Sequence, residues 1–223
     1  MAIRLQLLLI IGGGVLAFFG FQEYRVGAGA AAQPVAVELA ELEAGEELPN
    51  VHAKIGEHLC LYSAAVYRCN VGKGEGQPGP DSKIDYMYFP IISTTHAWFS
   101  DANAVLAQHG GNAAAVPEKG WPEVKPLAVL VKSKDRFGTV GEIPDEWVVR
   151  KEVSGLVVNR IKKLSGEERD LIQRSFPSAD LDKILILADG RSPRSGAATM
   201  GIIGGGILLA LAGLGWMVAR ARG

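Results

Sequence analysis

The chain reads as an α+β, β-dominated domain held outside the cytoplasm between two terminal transmembrane helices. Three features predict this. An apolar run lies at each end of the 223 residues, the charged residues are confined to the middle or the extreme tips, and the middle is rich in short strand-like segments.

The first apolar run is Leu5–Phe21, at the lower limit of the roughly 17–25 helical residues that cross a bilayer. Gln6 is its one polar residue of consequence. Arg4 before the run and the alanines at 30–32 after it also fit a secretory signal, but the run exceeds the usual apolar core of about 7–15 residues. It is therefore expected to stay as an anchor. The second run, Ala197–Ala219, spans comfortably.

These runs divide the chain. A cytoplasmic N-terminus (1–4) precedes the first span (5–21). A linker (22–34), an ectodomain (35–190) and a tether (191–196) lead to the second span (197–219) and a cytoplasmic tail (220–223). Arg4 before the first span, and Arg220 and Arg222 after the second, favour cytoplasmic termini. The loop from Val26 to Gly196 carries 19 basic and 23 acidic residues, a net of −4. A domain of that size translocates largely regardless of charge.

Glycines crowd both runs, and Gly201 with Gly205 forms a small-xxx-small pair. The spans are expected to pack on each other, or on a partner through that pair. The bilayer and a membrane protein, or a second copy, are the expected partners.

Within the loop, Val35–Leu39 alternates apolar and polar residues. Leu59–Val71 is expected as one continuous strand. The Gly- and Pro-rich turn Gly72–Lys83 then leads into Ile84–Ile92, forming a long hairpin. Pro90 favours an edge or a strand end. Leu127–Val131, Val148–Val158 and Ile184–Leu187 are further strand candidates. Ser165 with Glu168 makes a capping box for a helix that Pro177 ends. A weaker helix is expected over Asp101–Gln108, and His109–Pro126 is irregular.

The chemistry-bearing residues are sparse. Cys60 and Cys69 would meet only across a tight turn at Ser63–Val66. On a continuous strand they lie about 30 Å apart, which is the favoured reading. His52, His58 and Cys60 have the donor chemistry for zinc or copper. They lack any CxxC, helical HxxxH or CxxCH frame, so no metal or cofactor is expected. Ser93, Thr94, Thr95, His96, Ser100 and Asp101 could hold a hydroxyl nucleophile and base. No framed nucleophile accompanies them, and no catalytic residue is assigned. No phosphate loop or basic stripe is present, which argues against nucleotides and nucleic acid. Trp98, Trp121, Trp147, Tyr86, Tyr88 and Phe99 read by default as core; those left exposed beside a membrane would rest in the headgroup layer or anchor a partner.

The layout is similar to that of cytochrome oxidase assembly factors with a β-rich middle, and of membrane ubiquitin ligases with a domain beside the membrane. Residues 21–26, Phe21-Gln22-Glu23-Tyr24-Arg25-Val26, lack the tryptophan motif of the first group. No RING cysteines follow the second span, as they would in the other. The resemblance is one of layout and assigns no family. The expected function is binding or scaffolding of another envelope component without catalysis. The alternative is a membrane-anchored enzyme or metal-handling protein built on His96/Ser100/Asp101 or His52/His58/Cys60.

Overall fold

The computed structural model describes residues 2–222 apart from 71–77, 113–114, 118–119, 135, 162 and 178. It contains two compact units: the terminal segments 1–33 and 192–223, and the central residues 34–191.

The terminal unit is a pair of helices, α1 (Ala2–Ala28) and α6 (Gly196–Arg222), each 27 residues long. Both are long and apolar enough to cross a membrane. α1 runs well past Phe21, through Gln22, Glu23, Tyr24 and Arg25, so the apolar run is shorter than the helix that carries it.

Their seam repeats every seven residues. Gln6, Gly13 and Gly20 are the buried positions of α1 between residues 4 and 28; Thr199, Gly206 and Gly213 are those of α6 up to residue 220. The helices are antiparallel: Gly213 lies against Gln6 and Ile10, Gly13 against Gly206 and Ala210, and Gly20 against Ile202 and Ile203. A seven-residue repeat keeps one seam facing its partner along the whole length of two helices. Glycine at the seam lets the backbones close on each other, the device that membrane helices use where lipid removes any hydrophobic drive to associate. Gly201 and Gly205 are not in this seam; nothing lies within 4 Å of where their Cβ would stand.

The central unit is one nine-stranded sheet with the order β1-β2-β8-β9-β6-β5-β3-β7, and with β4 also on β5. The strands are β1 (Val35–Val37), β2 (His52–Ile55), β3 (His58–Leu61), β4 (Val66–Asn70), β5 (Lys83–Ile92), β6 (Val129–Ser133), β7 (Trp147–Arg150), β8 (Val153–Val157) and β9 (Leu185–Asp189). The helices are α2 (Leu39–Glu43), α3 (Ala97–Gln108), α4 (Val158–Ile161) and α5 (Gly166–Ser175).

Register explains its curvature. β2 pairs with β8 from His52↔Leu156 to Ile55↔Val153, and β3 pairs with β7 from His58↔Arg150 to Leu61↔Trp147. The offset is unchanged across the gap, so these four strands are one long antiparallel ribbon, bent at Gly56–Glu57 and Lys151–Glu152. Four strands separate β2 from β3 along the sheet. Flat, that is roughly 24 Å at strand spacing; two linking residues reach at most about 11 Å. The sheet must curl, and it forms a half-barrel.

The concave side holds the largest core, including Cys60, Tyr62, Met87, Phe89, Val131 and Leu187. α5 covers Tyr88, Leu130 and Ile186 on the outer face, and α3 packs on Leu59, Leu61 and Ile92.

Three expected elements are altered. Leu59–Val71 is not one strand. It breaks at a 3-10 turn over Tyr62–Ala64, because Tyr62 turns into the core between Phe89 and Phe137, with ring centroids 4.9 and 5.1 Å away. Opposite it, β5 advances only from Ile91 to Tyr88 while the other chain advances from Cys60 to Val66. Val71 and most of the expected Gly72–Lys83 turn lie outside the described residues, but the hairpin pairing of β4 with β5 is present. Val148–Val158 is split by the ribbon's bend into β7 and β8. The helix expected at Asp101–Gln108 starts four residues earlier, at Ala97, because His96 caps it: the Nδ1 lone pair accepts the Trp98 amide at 3.0 Å. The capping box at Ser165 and Glu168 forms as expected.

Candidate functional site

The concave face carries one buried polar cluster, placed by strand alternation. His58, Cys60 and Tyr62 follow one another at every second residue along β3 into the turn. Arg136, from the segment after β6, reaches Tyr62, and Asp189, at the end of β9, meets Arg136; these last two are half-buried. Arg136 donates from Nη1 to the Tyr62 hydroxyl at 2.9 Å and from Nη2 to Asp189 Oδ2 at 2.7 Å. Its guanidinium also lies 5.5 Å from the centre of the Phe89 ring.

Electrostatics follow from that packing. Burial pushes the Cys60 thiol up, away from thiolate. Burial likewise raises Tyr62, against the pull of Arg136. Burial opposes charge on Arg136 as well, but Tyr62 and Asp189 outweigh it and keep the guanidinium charged. His58 is fully buried. Its Nδ1 donates to the Gly56 carbonyl at 2.7 Å, which ties the ring to the ribbon's bend. With the proton on Nδ1, Nε2 is a bare acceptor, and among the described residues it has no hydrogen-bond partner. Burial holds the imidazole below its ordinary pKa, and Arg136 and Arg150 add to the effect, so it is neutral near pH 7.

A second polar network ties α5 to the sheet. Glu168 accepts from Tyr88 at 2.7 Å, from Lys132 and from Ser165. Burial alone would raise its carboxyl; those donors outweigh burial and pull it down to about 2. Tyr88 is raised, by burial and then by that carboxylate.

The proposed trios are not assembled as trios. Ala53 and Ile55 enter the concave core, so His52 on the same strand faces the other side by alternation. The bend then puts His58 and Cys60 inside. The structure thus unites His58 with Cys60 and separates His52 from both. Among the described residues no three His, Cys, Asp or Glu side chains converge on a metal-sized site. Cys60 and Cys69 are free thiols; their partners on β5 are Ile91 and Ile84, roughly 23 Å apart at strand rise.

His96 has both ring nitrogens engaged. Nδ1 accepts from Trp98, so Nε2 carries the proton and donates to the Pro126 carbonyl at 3.1 Å. Ser100 and Asp101 lie exposed on α3. Ser93 is a fastener: its amide and hydroxyl both donate to the Glu43 carboxylate, at 2.7 and 2.6 Å, joining the end of β5 to α2.

A concavity of about 630 Å³ is an open groove between the α2–β2 connection and residues 124–128 and 179–185. Leu42, Leu48, Val51 and Leu185 line it together with Glu46, Glu47, Arg160 and Lys183. It contains neither trio.

Trp98, Phe99 and Trp121 stack edge-on around Trp147 at 5.8–6.2 Å. Trp98 is buried and the other three are half-buried.

Sequence reasoning missed Arg136, Asp189 and Tyr62, because isolated residues 53–74 positions apart carry no spacing signal. No protein-family profile matches the chain, and neither a curated protein nor a solved structure is significantly similar to it.

Proposed function

We propose that this chain is a two-span membrane protein whose central domain lies outside the cytoplasm, where it binds or scaffolds another envelope component without catalysing a reaction. The supporting observation is where apolar surface is left uncovered. Among the described residues, every exposed large hydrophobic side chain except Val149 belongs to α1 or α6. Leu8 and Leu208 are two-thirds exposed, at 67% and 68%. Two paired helices bare all round are unstable in water and at home in hydrocarbon. The antiparallel seam sets residues 2 and 222 at one end of the pair, and Arg4, Arg220 and Arg222 favour the cytoplasm for that end.

Scaffolding is the reading that fits the polar groups. The ring of His96 and the side chains of Ser93 and Glu168 are committed to structural hydrogen bonds. The Cys60 thiol is held away from its nucleophilic form. Gly201 and Gly205, open on the face away from α1, are where a second membrane helix would dock.

The test is affinity capture of the full chain from membranes in mild detergent, beside Gly201→Leu/Gly205→Leu. The proposal expects a defined membrane protein, or a second copy, with the native chain and its loss from the variant. Recovery of the same proteins by both, and by a bead control, rejects it.

A further inference from the structure

The sheet ends at β7, whose outer edge pairs with no other strand among the described residues. Bare edges invite another strand. This one carries Val149, 55% exposed and the sole exposed large hydrophobic residue described in the central unit. The two ends of the strand differ in charge: Asp145 and Glu146 precede it, Arg150 closes it and Lys151 follows, and all four are exposed.

That pattern is self-complementary in one register. We propose that β7 pairs edge to edge, antiparallel, with β7 of a second copy of this chain, about a two-fold axis at Val148. Residues directly opposite in an antiparallel pair share a face, so paired positions must have the same parity. Centring on Val148 sets Trp147 opposite Val149, Glu146 opposite Arg150 and Asp145 opposite Lys151, each twice by symmetry. An aromatic meets a β-branched residue, and every charge meets its opposite; both are favoured cross-strand pairs. Moving the axis to Val149 sets Val148 opposite Arg150 and Trp147 opposite Lys151. Moving it to Trp147 sets Glu146 opposite Val148. Parallel pairing in register stacks each charge on its own kind. The sequence therefore selects the partner (itself), the direction and the register together.

The contact is isologous, as closed dimers require. It also covers Val149 and extends the half-barrel into a continuous sheet across two molecules. It rests on the central unit alone and stands whether or not α1 and α6 span a bilayer.

The test uses the full chain in mild detergent, in a Cys69→Ser background; Cys60 is fully buried. In this register the two Val149 positions are staggered by two residues across one strand spacing, about 8 Å apart. Val149→Cys is expected to give a covalent dimer with a bismaleimide of about that reach, and Asp170→Cys, exposed on α5, is not. Glu146→Arg and Arg150→Glu, each creating like-charge pairs, are expected to weaken dimerisation about tenfold or more. The double variant Glu146→Arg/Arg150→Glu exchanges the charges and restores it. Val149→Cys cross-linking no better than Asp170→Cys overturns the proposal. So does a dimer unchanged by either single reversal, which is then held elsewhere, or a double variant that stays monomeric.

Discussion

Gly13→Ala tests the helix seam at its tightest layer. A Cβ there would stand 2.5 Å from the Gly206 carbonyl oxygen and 2.6 Å from the Ala210 amide nitrogen, where ordinary contact begins near 3.4 Å. Both obstacles are backbone, so no side chain can swing aside. The helices must part by about 0.9 Å at that layer, which also loosens the packing of Gly20 and Gly213. Overpacking of this kind costs about 1–3 kcal/mol, and the better helix propensity of alanine returns up to about 1 kcal/mol. We expect a net loss of about 1–2 kcal/mol. Gly205→Ala is the matched control, since its Cβ would meet nothing within 4 Å; it should be neutral or slightly stabilising. The assay is reversible unfolding in mixed detergent micelles, read by energy transfer between dyes at residues 2 and 222, which the antiparallel pairing holds at one end. Gly13→Ala as stable as the native protein, or Gly205→Ala equally damaging, refutes the seam.

Three further outcomes follow from the central unit. Arg136→Ala takes from the buried Tyr62 hydroxyl and the half-buried Asp189 the donor they share and should cost about 1–3 kcal/mol in chemical denaturation followed by tryptophan fluorescence; Arg136→Lys should rescue little, because one ammonium cannot reproduce the two-pronged bond. His58 is depressed in the folded state, so its contribution is present above the ordinary histidine value of 6.5 and is lost as pH falls below it, because the unfolded chain takes up a proton that the folded one does not. Stability should therefore decline as pH falls below 6.5, by up to about 1.4 kcal/mol per pH unit, and His58→Phe should flatten that slope. Glu168, at about 2 in the fold against an ordinary 4.5, contributes above pH 4.5 and loses that contribution as pH falls toward 2; Glu168→Gln should remove this acid limb and destabilise at neutral pH.

What the sequence made legible was local or periodic. The two apolar helices, the capping box at Ser165 and Glu168, and the strands near Ile84–Ile92 and Ile184–Leu187 are written in composition and spacing, and the structure has them. The glycine seam was half legible: glycine density pointed to close packing, but the obvious Gly201/Gly205 spacing lies off the seam, which follows the seven-residue repeat of Gly206 and Gly213. Bends were hidden. Nothing local announces that Tyr62 leaves its strand, because its reasons, Phe89, Phe137 and Arg136, are 27 to 75 residues away. The same holds for the ribbon's corner, which splits one apolar run into β7 and β8 and turns His52 away from His58. The buried cluster depended on these bends, and so only His58 and Cys60 of it could be singled out beforehand.

The proposed topology has α1 and α6 crossing a membrane as an antiparallel pair, with residues 34–191 on the side opposite both chain ends. Impermeant maleimide labelling of sealed, oriented vesicles tests it, using single cysteines at Ala2, Ser165 and Arg222 in a Cys69→Ser background. Positions 2 and 222 are expected to label together, on the cytoplasmic side, and position 165 only from the other side. Labelling of all three from one side, or release of the intact chain by alkaline carbonate, contradicts it.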